Sequence, residues 1–407
     1  MRVGWLCCVI ALVVGGCTSM SGDAPVARDV PEIKLESGVY EIASADTAFD
    51  TPVLSPDGQR LVVQVESYRD PMLPYEVYDL VVAEKGADDQ WGELRTWLPG
   101  VYKPYGGEME MPIQAAFDET SQWLVLTQIR FDSFLSMPSA LSLRSWIERR
   151  PWSGGGEVKR LVEPADWDLP SDELVQHPRI SPDGRWLTFY CRVHDAAQGV
   201  YLLNLQTEQH FRLSTEHDKH PTWSADGKRI YFHHVHAGKR HRFDMFTLSD
   251  EQSVIGYFDM TFHGRTHPDW RRVLMDQPGG DAVIYHKHPV EIPQTDLLAF
   301  HGRKSPDGDM KLMVRRDEPG SPVFEIEPYW QGEKLKEAKH PCSSFRYTDL
   351  VFVAKPKGEK RYHLLLGLDE SALATVREVV EGGVVETARG SSRSATGEPG
   401  TASLGRD

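Results

Sequence analysis

Fourteen of the sixteen histidines in this 407-residue chain lie between His177 and His301. Neutral imidazoles that converge on one point suit Zn²⁺, Mn²⁺, Ni²⁺ or Fe²⁺, and an imidazole near its own pKa can also act as a general base. His177 and His220 each precede a proline and stand four residues before a Ser-x-Asp-Gly tetrapeptide. His267-Pro268 is assigned the same register, and His340-Pro341 joins them further on. Thr51 holds the equivalent place in the first copy, with Met111-Pro112 nearby but out of register. A second run, His233-His234-Val235-His236, ends a strand that begins at Arg229. Alternation along that strand puts His234 and His236 on one side and His233 on the other. His234 or His236, with His194, is expected to approach the same channel. His220 and His234 are the candidate bases, and Arg240, Arg242 and Arg271 the candidate contacts for an anionic ligand. There is no His-Glu-x-x-His and no Cys-x-x-Cys, so spacing names no particular metal; Zn or Mn is the expectation. The plainer alternative is a histidine before proline that only caps the entrance of a strand.

The elements that must position these residues repeat along the chain. Thr51-Pro-Val-Leu-Ser55-Pro-Asp-Gly, His177-Pro-Arg-Ile-Ser181-Pro-Asp-Gly and His220-Pro-Thr-Trp-Ser224-Ala-Asp-Gly are each followed by alternating apolar residues (Leu61, Val63, Val65; Leu187, Phe189; Ile230, Phe232). Pro presets φ, Asp accepts main-chain N–H groups, and Gly takes the left-handed conformation, so the tetrapeptide is a hairpin tip leading into a strand. Ser181 to Ser224 is 43 residues. Ser55 to Ser181 is 126, two steps of 63 with Ala116–Leu126 in the middle. Such periods belong to propeller blades. Weaker copies are assigned to His267–Trp270 and His340–Phe345, and Ser305-Pro-Asp-Gly308 to a turn out of register. Trp91, Trp97, Trp123, Trp186, Trp223 and Trp270 read as blade core.

Pro221-Thr-Trp-Ser-Ala-Asp-Gly-Lys-Arg-Ile-Tyr-Phe232 resembles the repeat of TolB-type β-propellers, and the resemblance covers roughly residues 40–370. It implies an all-β fold, a single propeller of six or seven four-stranded blades. TolB itself has a separate N-terminal α/β domain, for which the residues before the first repeat leave no room, so the chain is expected to be TolB-like and not TolB. The same repeat caps prolyl-oligopeptidase-like hydrolases, but their Gly-x-Ser-x-Gly is absent. The histidines bear a weaker resemblance to propeller oligogalacturonate lyases. That likeness implies a divalent cation and a base acting beside a uronate carboxylate.

The ends complete the domain plan. Met1-Arg2, an apolar run Val3–Val14 and Gly15-Gly16-Cys17 form a signal peptide with a lipobox. Residues 1–16 are expected to be removed and Cys17 to carry lipid. Thr18 follows Cys17, which by resemblance to enteric lipoproteins favours the outer membrane, facing the periplasm. Residues 17–38 read as a tether, 39–384 as the propeller and 385–407 as a disordered tail, while Ser371–Val380 reads as a short helix or a closing strand. Cys191 and Cys342 read as buried thiols in preference to a disulfide. With 45 Lys+Arg against 60 Asp+Glu the net charge is −15. That balance argues against nucleic acid and against membrane contact beyond the lipid. The expected molecule is a monomeric, non-catalytic periplasmic binding module for an envelope protein, a peptide or a small anionic ligand. The alternative is a metal-assisted oligouronate lyase.

Overall fold

Each hairpin tip is held by the side chains that define it. The hydroxyls of Ser55, Ser181 and Ser224 donate to Asp57, Asp183 and Asp226 at 2.5, 2.6 and 2.7 Å. They accept the N–H groups of Arg60, Trp186 and Arg229 at 2.9, 3.0 and 2.8 Å. The same carboxylates accept from the N–H groups of Gln59, Arg185 and Lys228. Gly58, Gly184 and Gly227 follow at φ of 67°, 71° and 70°, where a side chain would be strained. In the second copy Asp118 replaces the serine, accepting from the N–H groups of Gln122 and Trp123 at 3.1 Å. Ser121 adopts the glycine's conformation there at φ 59°.

The computed structural model describes residues 30–392 apart from 70–75, 104–107, 132–142, 168, 170–173, 193–198, 238–251, 277–284, 293, 305–307 and 345–348. Within them the hairpins build six antiparallel blades in a ring, so the repeat number is six. The innermost strands are Phe49–Leu54, Glu108–Phe117, Leu174–Ile180, Asp218–Trp223, Tyr285–Ile292 and Glu337–Cys342, for blades 1 to 6 in turn. Side chains from the two faces of each sheet interdigitate with the neighbouring blade. Trp186 and Trp223, for example, share one cluster with Phe232 and Phe258 between blades 3 and 4. Cys191 and Cys342 are buried and are not joined in a disulfide.

The N-terminal segment closes the ring. Val39–Ser44 is the outermost strand of blade 6, antiparallel to Leu364–Leu368, and Glu32–Leu35 lies parallel to Val323–Trp330 of blade 5. Val30, Ile33 and Leu35 are buried, so the stretch expected as tether is structural from residue 30 onward. The helix Glu370–Ser392 settles the choice at Ser371–Val380 and extends into the segment expected as tail. Its Ala372, Leu373, Val376 and Val380 fill the core between blades 5 and 6. No helix among the described residues is long and apolar enough to cross a membrane. At the closure a Cβ on Gly367 would lie 2.3 Å from the Tyr40 ring. Gly367→Ala is therefore expected to cost about 1–3 kcal/mol, seen as a lower urea midpoint. An unchanged midpoint would show that the seam tolerates a slipped strand.

Candidate metal centre

The site is made by one irregularity repeated six times. In every innermost strand two residues oppose one on the second strand: Thr51-Pro52, Gln114-Ala115, His177-Pro178, His220-Pro221, His288-Pro289 and His340-Pro341. The first residue of each pair has positive φ, 39° at Thr51 and 52–53° at the other five. A bulge of this kind re-aims a side chain. Left-handed backbone in a non-glycine residue costs on the order of 1–3 kcal/mol, so six copies mark an arrangement held in place by its surroundings. Proline suits the second position because the bulged residue has no ladder partner for an N–H. Contacts between blades secure the ring: the His177 N–H donates to Gln114 Oε1 at 3.0 Å, and the His340 N–H to His301 Nδ1 at 3.0 Å.

The result is a ring of Thr51, Gln114, His177, His220, His288 and His340 around the axis. Ring centroids lie 4.0 Å apart for His177 and His220, 3.9 Å for His220 and His288, 5.0 Å for His177 and His288, and 4.5 Å for His288 and His340. One ligand nitrogen from each of His177, His220 and His288 falls within 4.8 Å of the other two. A tetrahedral Zn²⁺ with nitrogens at about 2.0–2.1 Å needs them about 3.4 Å apart, which small ring rotations supply. Burial lowers the pKa of His177, His220, His288, His233 and His301 well below the ordinary value, and neighbouring cations add to the effect. These imidazoles are neutral at pH 7, the form that binds metal.

Partners behind the ring set the tautomers. His340 Nε2 lies 2.9 Å from Asp50 Oδ1, while its buried Nδ1 has no partner among the described residues. Burial would raise the pKa of Asp50, but His340 and Lys339 carry it well below the carboxylate range. A carboxylate holding one imidazole nitrogen and leaving the other lone pair exposed is the usual support for a metal ligand. His220 Nδ1 lies 3.0 Å from His233 Nδ1, which leaves Nε2 of His220 for the axis. The donor set fits a divalent transition metal held by His177, His220 and His288, with His340 beside them.

Of the residues expected from sequence, the structure brings His177, His220 and His340 together. His267 is displaced: it begins the outermost strand of blade 4, 64% exposed, and His288 fills the place assigned to it. The letters His-Pro are shared, but no hairpin tip follows His267 at the right distance. Trp270 on that strand is also exposed and not blade core. His234 turns away from the axis, as strand alternation requires once His233 faces inward. Its Nδ1 contacts Asp218 at 2.8 Å, and Arg272 donates to both oxygens of that carboxylate. Arg271 is 75% exposed and paired with Asp259 on the rim. His194, Arg240, Arg242 and the His236 side chain lie outside the described residues. Sequence reading missed Gln114, His288 and His301. Counting four residues back from each tip finds the first, whereas His288 has no Ser-x-Asp-Gly after it to count from.

No protein-family model matches the chain, and no curated protein does. Solved structures with similar folds include a TolB from Acinetobacter baumannii, at 15% identity and TM-score 0.43, where the match covers 78% of this chain and 65% of that one. A protein of unknown function from Dyadobacter fermentans gives 12% identity and TM-score 0.47, over 81% and 98%. The Trypanosoma rangeli sialidase gives 10% identity and TM-score 0.50, over 84% and 58%. At these identities the likeness is one of fold alone: the chain is a six-bladed β-propeller, with TolB proteins among its structural neighbours.

Proposed function

We propose that this chain is a non-catalytic binding propeller, anchored in the cell envelope through Cys17 and facing the periplasm, whose axial histidines hold one divalent transition metal. The observation that carries the reading is the set of three neutral imidazoles, His177, His220 and His288, aimed at one point by matched bulges. A metal held by neutral imidazoles alone would keep its full charge and so would attract a carboxylate or another anionic group of a partner. Lys219, Lys287 and Lys339, one residue before the ring in blades 4 to 6, raise the positive potential around these imidazoles.

The test is elemental analysis of the chain purified without an affinity tag, before and after reloading with Zn²⁺ or Mn²⁺. About one equivalent per chain is expected, lost in a His220→Ala/His288→Ala variant that still melts cooperatively. Absence of stoichiometric metal after reloading would overturn the reading. Release of unsaturated uronides from oligogalacturonate by the loaded chain would overturn its non-catalytic part. For the anchor, palmitate labelling that disappears in Cys17→Ser is the expected result.

A further inference from the structure

Beside the ring, on the side of the hairpin tips, lies a cavity of about 80 Å³ with His288 on its wall. A single water needs roughly 10–15 Å³ on the same measure, so there is room for a small organic molecule. The next inward-facing position of each innermost strand lines this space: Val53, Ala116, Arg179, Thr222, Val290 and Cys342. Five of these six are neutral, and the sixth is an arginine.

Arg179 is held by its own neighbourhood and lacks a counter-charge. Nη1 donates to the carbonyls of Ala115 and Pro178 at 3.1 and 2.9 Å, which fixes the plane of the guanidinium. Nε and Nη2, the edge that forks onto a carboxylate, have no partner among the described residues, and Arg179 makes no ion pair there. Burial draws its pKa down to about 10, so it stays charged at neutral pH. Glu291 also lines the cavity, but it accepts the Ala225 N–H at 2.8 Å and does not pair with the arginine. A half-buried cation without a counter-charge, in a chain of net charge −15, is a ready contact for something anionic.

We infer that this cavity binds a small monocarboxylate, its two oxygens on the free edge of Arg179 and its short apolar body against Val53, Ala116 and Val290. The flat bidentate edge matches a carboxylate. A dianion such as phosphate is disfavoured, because one guanidinium is the cavity's single cation and Glu291 stands on its wall. The carboxylate comes either from a free short-chain acid or from the C-terminus of a peptide ending in a small apolar residue. The pocket lies on the tip side of the ring, and its carboxylate contact needs no metal.

The experiment is titration calorimetry on the full-length chain in chelator and in a buffer without carboxylates. The probes are isobutyrate against isobutyramide, and N-acetyl-Ala-Ala-Val with a free C-terminus against its C-terminal amide. At least one carboxylate is expected to bind while its amide does not. Arg179→Lys should weaken that binding about 10-fold, and Arg179→Met by on the order of 30-fold or more. The methionine variant should still melt cooperatively, at most slightly below the parent for the two carbonyl contacts it loses, so that lost binding is not lost folding. Tighter binding of isobutyrate identifies a free acid, and tighter binding of the peptide identifies a chain terminus. Equal binding of acid and amide, no carboxylate binding, or full binding in Arg179→Met would overturn the inference. Metal content measured on the same preparations separates its failure from that of the axial centre.

Discussion

His288→Ala is expected to abolish stoichiometric Zn²⁺ binding, while His267→Ala leaves it unchanged. His288 supplies one of three nitrogens that lie within 4.8 Å of each other, and its ring stands next to His177, His220 and His340. Loss of a direct ligand should exceed the roughly 10–100-fold penalty for losing a supporting partner. That smaller penalty is expected for Asp50→Asn if His340 completes the coordination, since the carboxylate fixes which nitrogen of His340 carries the proton. Calorimetric titration gives the affinities. Intense visible bands on Co²⁺ substitution report tetrahedral geometry, and their weakening in Asp50→Asn would report that His340 is a ligand. Equal zinc affinity in His288→Ala and the parent would remove the centre from the axis altogether.

Stability of the metal-free chain should fall steeply between pH 7 and pH 5. Buried His177, His220, His233 and His301 and half-buried His288 all have folded pKa values well below 6.5, because desolvation disfavours the imidazolium. In the unfolded chain the same residues titrate near 6.5. Below that pH the unfolded state binds protons that the folded state refuses, so acid favours unfolding. Each histidine contributes about 1.4 kcal/mol per pH unit until its own folded pKa is reached. The contributions add, against the roughly 5–15 kcal/mol that holds a typical domain folded. Asp50 works in another window: its depressed pKa contributes stability above about 3.9 that is lost only below it. Urea midpoints across this range are the measurement, and a flat profile from pH 7 to pH 5 would show that water reaches the ring. Added Zn²⁺ should raise the midpoint at pH 7 and lose its effect as protons displace it from the imidazoles.

The blades were legible because hairpin chemistry is local. Ser, Asp and Gly within four residues satisfy each other, and the strand after each tip alternates. The ring was legible where a tip stood at a fixed distance, at Thr51, His177 and His220. It became illegible in blade 5, whose inner strand ends at Ile292 without the tetrapeptide, and the step from His220 to His288 is 68 residues instead of 43. His267-Pro268 then looked like the missing copy. Arg179 was in plain view within His177-Pro-Arg-Ile, yet nothing local says that its counterparts are Val, Ala, Thr, Val and Cys. That contrast exists only once six strands are laid side by side. The closing strand and the C-terminal helix were hardest to read, because their partners are more than three hundred residues away in one case and across two blades in the other.

The seam within blade 6, where Val39–Ser44 pairs with Leu364–Leu368, sets the order in which the molecule can be completed. Tyr40 must meet Asp349, 309 residues later. At about 5–20 residues per second of synthesis, the amino-terminal strands wait on the order of 15–60 s for their partners. Until then blade 1 has no neighbour on one flank, and the strand edge of blade 6 does not yet exist. The four central blades can assemble in sequence as they emerge, but the circle itself is a late, long-range event. A chain cut short before Leu364 would leave an open arc with unpaired strand edges at its ends, a form suited to aggregation.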